Sequence, residues 1–216
     1  MARKKNRRKD YKRADHPEQK DERKHLILRA AAEELALVGS GQDFTINALA
    51  RRAGLAKGTV YLYFKSKSAI LIELLGDAVE DFATDIITKF TKLPEPVNAM
   101  QAARTIRDSL KNSACKRRLP QLLKSLSDKD SGISHQKYNK RVKPFMKQAD
   151  AIIVRRLHGL HPGEGRKILL YGWALLLGLS EIAEHKPKSA AVPLNVEQNL
   201  REALTLLIEG FLARSR

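Results

Sequence analysis

Apolar residues along this chain recur at intervals of three and four, the period of one helix face. Ile27, Ala31, Leu35 and Val38 mark a helix from Asp21 to Val38, broken by Gly39 and Gly41. A longer stripe follows, with Ile70, Leu71, Leu74, Leu75, Val79, Phe82, Ile86 and Phe90 facing inward, Ser66 placed to cap its start and Pro94 beyond its end. Residues 97–128 predict one or two helices interrupted at Pro120. The turn-rich segment Ser127 to Gln136 predicts a loop, and Phe145 to Leu157 a further helix. Helices over Gly165 to Glu184 and Val196 to Ala213 come last. The first of these is apolar nearly all round (Ile168, Leu169, Tyr171, Trp173, Leu175, Leu176, Leu179, Ile182) and so calls for burial on more than one side. Its Gly172 and Gly178 permit close approach of another helix. The second presents Leu200, Leu204, Leu207, Ile208 and Phe211. The expected fold is all-α.

The chain is organised around residues 44–67, FTINALARRAGLAKGTVYLYFKSK. Thr45 precedes an apolar-periodic segment, where its hydroxyl can accept a hydrogen bond from a backbone N–H of the first turn. Phe44 and Leu49 are spaced as a hydrophobic staple. This helix should end near Ala53, because Gly54 tolerates the left-handed conformation that a helix C-terminus needs. A second helix runs from Lys57 to Phe64. At 100° steps, Val60 and Phe64 share one side and Gly58, Thr59 and Leu62 the other, flanked by Lys57, Tyr61 and Tyr63. A glycine, a hydroxyl and an exposed leucine make a poor surface for water and a suitable one for a DNA major groove. Lys57 and the helix N-terminus meet phosphate, Gly58 lets the backbone approach, the tyrosine hydroxyls bond the strand, Leu62 packs on a thymine methyl and Thr59 reaches a base edge.

Thr45, the run LARRAG from Leu49 to Gly54, and KGTVYLYFKSK from Lys57 to Lys67, with Ile70 and Leu71 close behind, resemble the DNA-binding domain of TetR-family transcriptional regulators over about residues 23–75. Ala56 departs from the family pattern, which commonly has a serine or threonine there. The alanine removes a cap worth about 1 kcal/mol. Residues 1–20, densely basic and almost without apolar side chains, are expected to be a disordered arm; the resemblance implies a helix-turn-helix DNA-binding domain (21–67) and a helical effector-binding and dimerisation domain (68–216). It implies a homodimer in which the last two helices of each protomer form a four-helix contact, on a near-palindromic double-stranded operator. It also implies a repressor released by a small-molecule effector of unknown identity, held between the long helix and the helices of 97–157. The DNA contacts expected are Thr45, Lys57, Gly58, Thr59, Tyr61, Leu62, Tyr63 and Lys67, the last of which matches a basic position of the family's motif.

Charge sharpens this picture. The 216 residues carry a formal net charge of +17 and a pI near 10.1, which points to a polyanionic partner and not to a particular fold. The dense basic block of residues 1–20 either follows phosphates and enters a minor groove or is a solvated tail. A second basic concentration comprises Lys111, Lys116, Arg117, Arg118, Lys124, Lys129, Lys137, Lys140, Arg141, Lys143 and Lys147. It is either a solvated face or an attractor for an anionic effector or a second nucleic-acid segment.

The single cysteine, Cys115, excludes an intramolecular disulfide. The most apolar run, Ile168 to Leu179, is shorter than a membrane span of roughly 20 residues, and the N-terminus lacks a signal's apolar stretch. The expected location is the bacterial cytoplasm, on the nucleoid. His158 and His161 sit in a Gly/Pro loop without a ligand set around them, so no metal is expected. No cofactor is expected, and with no defensible nucleophile-base-acid set the chain reads as a non-enzyme. Trp173 lines either a subunit interface or a ligand cavity. Two rivals come from other classes: a ligand-independent architectural or cell-cycle protein on the same fold, and an enzyme or carrier built on a helical bundle.

Overall fold

A computed structural model of the chain describes residues 17–38, 45–112, 135–184 and 195–214. Its regular elements are all helices: α1 Pro17–Val38, α2 Ile46–Arg52, α3 Lys57–Tyr63, α4 Lys67–Lys92, α5 Ala99–Asn112, α6 His135–Arg156, α7 Glu164–Glu184 and α8 Val196–Ala213. The arm up to residue 16, the staple residue Phe44, the Pro120 break, Cys115 and the basic residues Lys116, Arg117, Arg118, Lys124 and Lys129 lie outside the described residues, as does the side chain of Lys137. No described helix is long and apolar enough to cross a membrane.

Two boundaries differ from the sequence reading, each for a physical reason. α1 begins at Pro17, four residues before Asp21. Proline is well suited to a first helical position, where an N–H would have no partner, and Glu18 sits in the first turn at the positive end of the helix dipole. α6 begins at His135 and runs through Pro144, so His135 and Gln136 are helical and not part of a loop. An interior proline removes one backbone bond and normally stops a helix. Here the chain is held on both sides of it, by Arg141 and buried Val142 before and by buried Ala149 after.

Among the described residues, the buried side chains form two clusters that share α4. Ile27, Ala31 and Leu35 of α1, Ile46 and Leu49 of α2, Val60 and Phe64, and Ile70, Leu71, Leu74 and Leu75 of α4 make the first. The second takes over at Ala78 and continues through Phe82, Ile86 and Phe90 into α5, α6, α7 and α8. Trp173 of α7 packs against both, its ring edge-on to Phe82 at 5.5 Å between centroids. The indole therefore joins the two halves.

Side chains at the helix ends fix how the second half is assembled. α5 opens with a reciprocal box, in which Gln101 N donates to Asn98 Oδ1 at 2.9 Å and Asn98 N to Gln101 Oε1 at 3.0 Å. Asp150 of α6 accepts from the backbone of Gly163 and Arg166 at 2.8 and 2.9 Å, holding the start of α7. Gly172 meets α8 so closely that an added Cβ would lie 3.1 Å from Leu204 Cδ2. Gly178 has nothing within 4 Å of such a position.

α7 is not covered all round by the described residues. Ile168, Leu169 and Leu176 are buried, but Leu170 and Ile182 are exposed. Tyr171, Ala174, Leu175, Gly178, Leu179 and Ile182 instead line, with Ala203, Leu206 and Leu207 of α8, an open apolar groove of about 780 Å³. Leu206, absent from the expected stripe of α8, is 69% exposed there.

Candidate nucleic-acid interface

Thr45 stands at the start of α2 in an extended conformation, and its Oγ1 accepts from Ala48 N at 3.1 Å, as its position before an apolar run demanded. At the other end the chain reverses through two bonds, Gly54 N to Arg51 O at 3.1 Å and Leu55 N to Ala50 O at 2.9 Å. This nested pair is a Schellman turn, and Gly54 occupies its left-handed position with φ 65°. A side chain there would be strained, so the angle between α2 and α3 rests on a glycine. Across the outer side, Arg52 Nε bonds Glu34 Oε2 of α1 at 2.6 Å.

α3 follows from Ala56, whose side chain supplies no cap. Around this short helix the exposure is ordered by angle. Lys57, Tyr61, Gly58 and Leu62 occupy a continuous arc of about 140° and all are exposed. Thr59 and Tyr63 come next and are half-buried, the tyrosine ring resting on the first core. Val60, with Phe64 just past the helix end, completes the circle, and both are buried. Leu62 is 84% exposed, and an added Cβ on Gly58 would find nothing within 4 Å. Lys67, at the first position of α4, is half-buried. Ser66 caps that helix, accepting from Ala69 N at 3.1 Å.

The family model for bacterial regulatory proteins of the tetR family matches residues 27–74. The chain carries a TetR-family helix-turn-helix domain. The fatty acid metabolism regulator protein of Bacillus subtilis is 42% identical over 69 residues, 30% of this chain, and the match spans only about a third (35%) of that relative's length. Over the whole architecture, the TetR-family transcriptional regulator of Streptomyces coelicolor superposes with a TM-score of 0.57 at 22% identity, covering 90% of this chain and 99% of that one. FadR of Bacillus subtilis, solved in complex with stearoyl-CoA, gives 0.55 at 19% identity, covering 86% and 98%. At such identities these two likenesses speak for the fold alone.

Behind the TetR-family domain lies a group built on one member of the basic concentration at 111–147. Arg141 of α6 turns onto α4, where Glu73, Asp77 and Glu80 share one side at intervals of four and three. Its Nη1 lies 3.2 Å from Glu73 Oε2, its Nη2 lies 2.9 Å from Glu80 Oε2, and Asp77 Oδ1 also accepts from Nη2. Burial opposes the guanidinium's charge, but hydrogen bonds and charge from Asp77 and Glu80 outweigh it, so its pKa is raised from the ordinary arginine value. Lys24 of α1 reaches the same Glu73 oxygen at 3.4 Å. The visible signal was the spacing of the three carboxylates; the cation that answers them is more than sixty residues away in sequence. Lys140, Lys143 and Lys147, by contrast, are exposed on α6 and line with Asn139 and Pro144 an open cavity of about 800 Å³.

Proposed function

We propose that this chain is a dimeric, sequence-specific DNA-binding transcriptional regulator. The observation that carries this reading is the face of α3: Val60 and Phe64 are withdrawn into the first core, while Leu62, Tyr61, Lys57 and the open backbone at Gly58 project away from it. An apolar side chain held out in water from a rigid short helix gains free energy when a surface covers it, and the +17 charge favours a polyanionic surface. Leu62 and Thr59 read base edges. Lys57, Tyr61, Tyr63, Thr45 and Lys67 hold the phosphates, and Gly58 gives the backbone close access. The apolar groove of α7 and α8 takes the same groove of a second protomer, giving a two-fold dimer on a near-palindromic operator with half-sites about one helical turn apart. The DNA-binding unit comprises α1, α2, α3 and the start of α4, and the remaining helices form the effector and dimer unit.

The regulator acts as a repressor that leaves its operator when a small molecule binds. Two facts support an anionic amphiphile as the effector class: the likeness to a fatty acid metabolism regulator, and the lysines of α6 around Pro144. Such a ligand must favour the state whose recognition helices are wrongly spaced for DNA, since equal affinity for both states shifts nothing.

The deciding experiment is to sequence genomic fragments retained by the purified chain and footprint the recovered site. A two-fold-symmetric footprint of two half-sites is expected, released by micromolar long-chain acyl-CoA. Unselective retention of fragments overturns the regulator reading. Selective binding that no acyl-CoA weakens overturns the effector reading alone.

A further inference from the structure

We propose that Arg141 is a positioning residue for operator binding: it sets the angle at which the DNA-binding helices are held relative to the dimerising helices. The inference rests on the regulator reading above and adds a residue that touches no DNA. Its first support is place. Leu74 and Leu75 belong to the first core and Ala78 and Phe82 to the second, so Glu73, Asp77 and Glu80 straddle the point where α4 passes from one to the other. The guanidinium that gathers these carboxylates comes from α6, whose Ala149, Ile152 and Ile153 lie in the second core.

A second support is connection. Through Glu73, Arg141 of α6 and Lys24 of α1 share one carboxylate, so the charge network links the second half directly to the helix that braces the helix-turn-helix. Arg52 of α2 is in turn tied to Glu34 of α1, so any tilt of α1 is carried to α2 and α3.

The third support is fit. A Cβ on Gly76 would lie 3.1 Å from Arg141 Nη1 and 3.5 Å from its Cζ, so the bare backbone at this position lets the planar group lie against the helix. Glycine inside a helix is unfavourable relative to alanine, and here it coincides with the crossing point between the cores. Arginine suits the post because its rigid fork satisfies several carboxylates at once, which an ammonium on a flexible stem does not. Without it, three like charges on one face of α4 repel one another and α4 is free to change its tilt there. In a two-fold dimer that tilt becomes the distance between the recognition helices.

The test uses the full chain with its recovered operator, a duplex carrying a single half-site, and operators whose spacer is lengthened or shortened by one and two base pairs. Arg141→Met and the double variant Glu73→Gln/Glu80→Gln are compared with Arg141→Lys by fluorescence anisotropy, with circular dichroism and sedimentation confirming a folded dimer. Arg141→Met is expected to bind the native operator about tenfold more weakly, to bind the half-site within twofold of the unaltered protein, and to lose most of its preference for native spacing. Arg141→Lys should recover part of that preference, and the double variant should lose it with Arg141 still present. If Arg141→Met does not fold, the double variant decides. A spacing preference unchanged in the folded variants, or an equal loss on half-site and operator, overturns the proposal. Both results are read only against an unaltered chain that selects its operator, so they are distinct from a failure of the regulator reading.

Discussion

Leu62→Ala separates reading from folding, because the residue sits 84% exposed beside a fully buried neighbour, Val60. Truncating Leu62 should change folding stability by no more than about 0.5 kcal/mol, the range for surface substitutions away from special features. On DNA the same side chain becomes covered. Burying a leucine is worth about 1.5–3 kcal/mol, and alanine forfeits most of it, so each half-site should lose about 1–2 kcal/mol. A dimer loses this twice, and about 2 kcal/mol already weakens binding roughly 30-fold. Val60→Ala is the contrast. It removes two buried methyl groups and leaves a gap in the first core, costing about 2 kcal/mol of stability and lowering Tm by roughly 5 °C. The assay pairs thermal unfolding with anisotropy titrations on the recovered operator and on a random duplex of equal length. The expected pattern is an unchanged melt, a large loss on the operator and nearly unchanged random binding for Leu62→Ala, against a lowered melt for Val60→Ala. A lowered melt for Leu62→Ala, or an equal loss on both duplexes, would mean that this leucine packs and does not read.

Three further outcomes follow from the same geometry. Lys57→Ala should weaken binding to every duplex and make the plot of log affinity against log salt shallower by about two per dimer, one phosphate contact per protomer; an unchanged slope measured across a salt titration removes Lys57 from the phosphate set. Ala56→Ser supplies the side-chain cap that α3 lacks and should raise stability by about 1 kcal/mol in denaturant unfolding; no gain would show that the backbone cannot present the hydroxyl to the helix end. Leu206→Glu puts a charge into the apolar groove between α7 and α8 and should yield monomers in sedimentation velocity with α-helical content intact; a persistent dimer would place the subunit contact elsewhere.

The buried side of α3 was legible because it is decided locally. Val60 and Phe64, four apart, share the buried side and leave Leu62 exposed opposite them; Thr59, expected beside Leu62, is instead half-buried. The bounds of α8 were legible for a similar reason, with Asn195 capping a long apolar stripe by accepting from Gln198 N at 3.0 Å. The course of α6 through Pro144 was not, because a proline reads as a stop and the contacts that override it come from α4, far earlier in the chain. Arg141 was hidden by its company: among eleven basic residues between 111 and 147, nothing local marks it as a residue that turns inward. Leu206 escaped because a stripe counted toward one core leaves out the residue that faces outward.

The vacant space above Gly58 has a consequence for how such a protein diversifies. A larger residue there meets no neighbour in the fold, and Leu62 likewise makes few demands on it. Descendants of this gene are therefore free to exchange both positions and acquire new target sites without first accumulating compensating changes in their interior, so divergence of binding preference can outpace divergence of the scaffold.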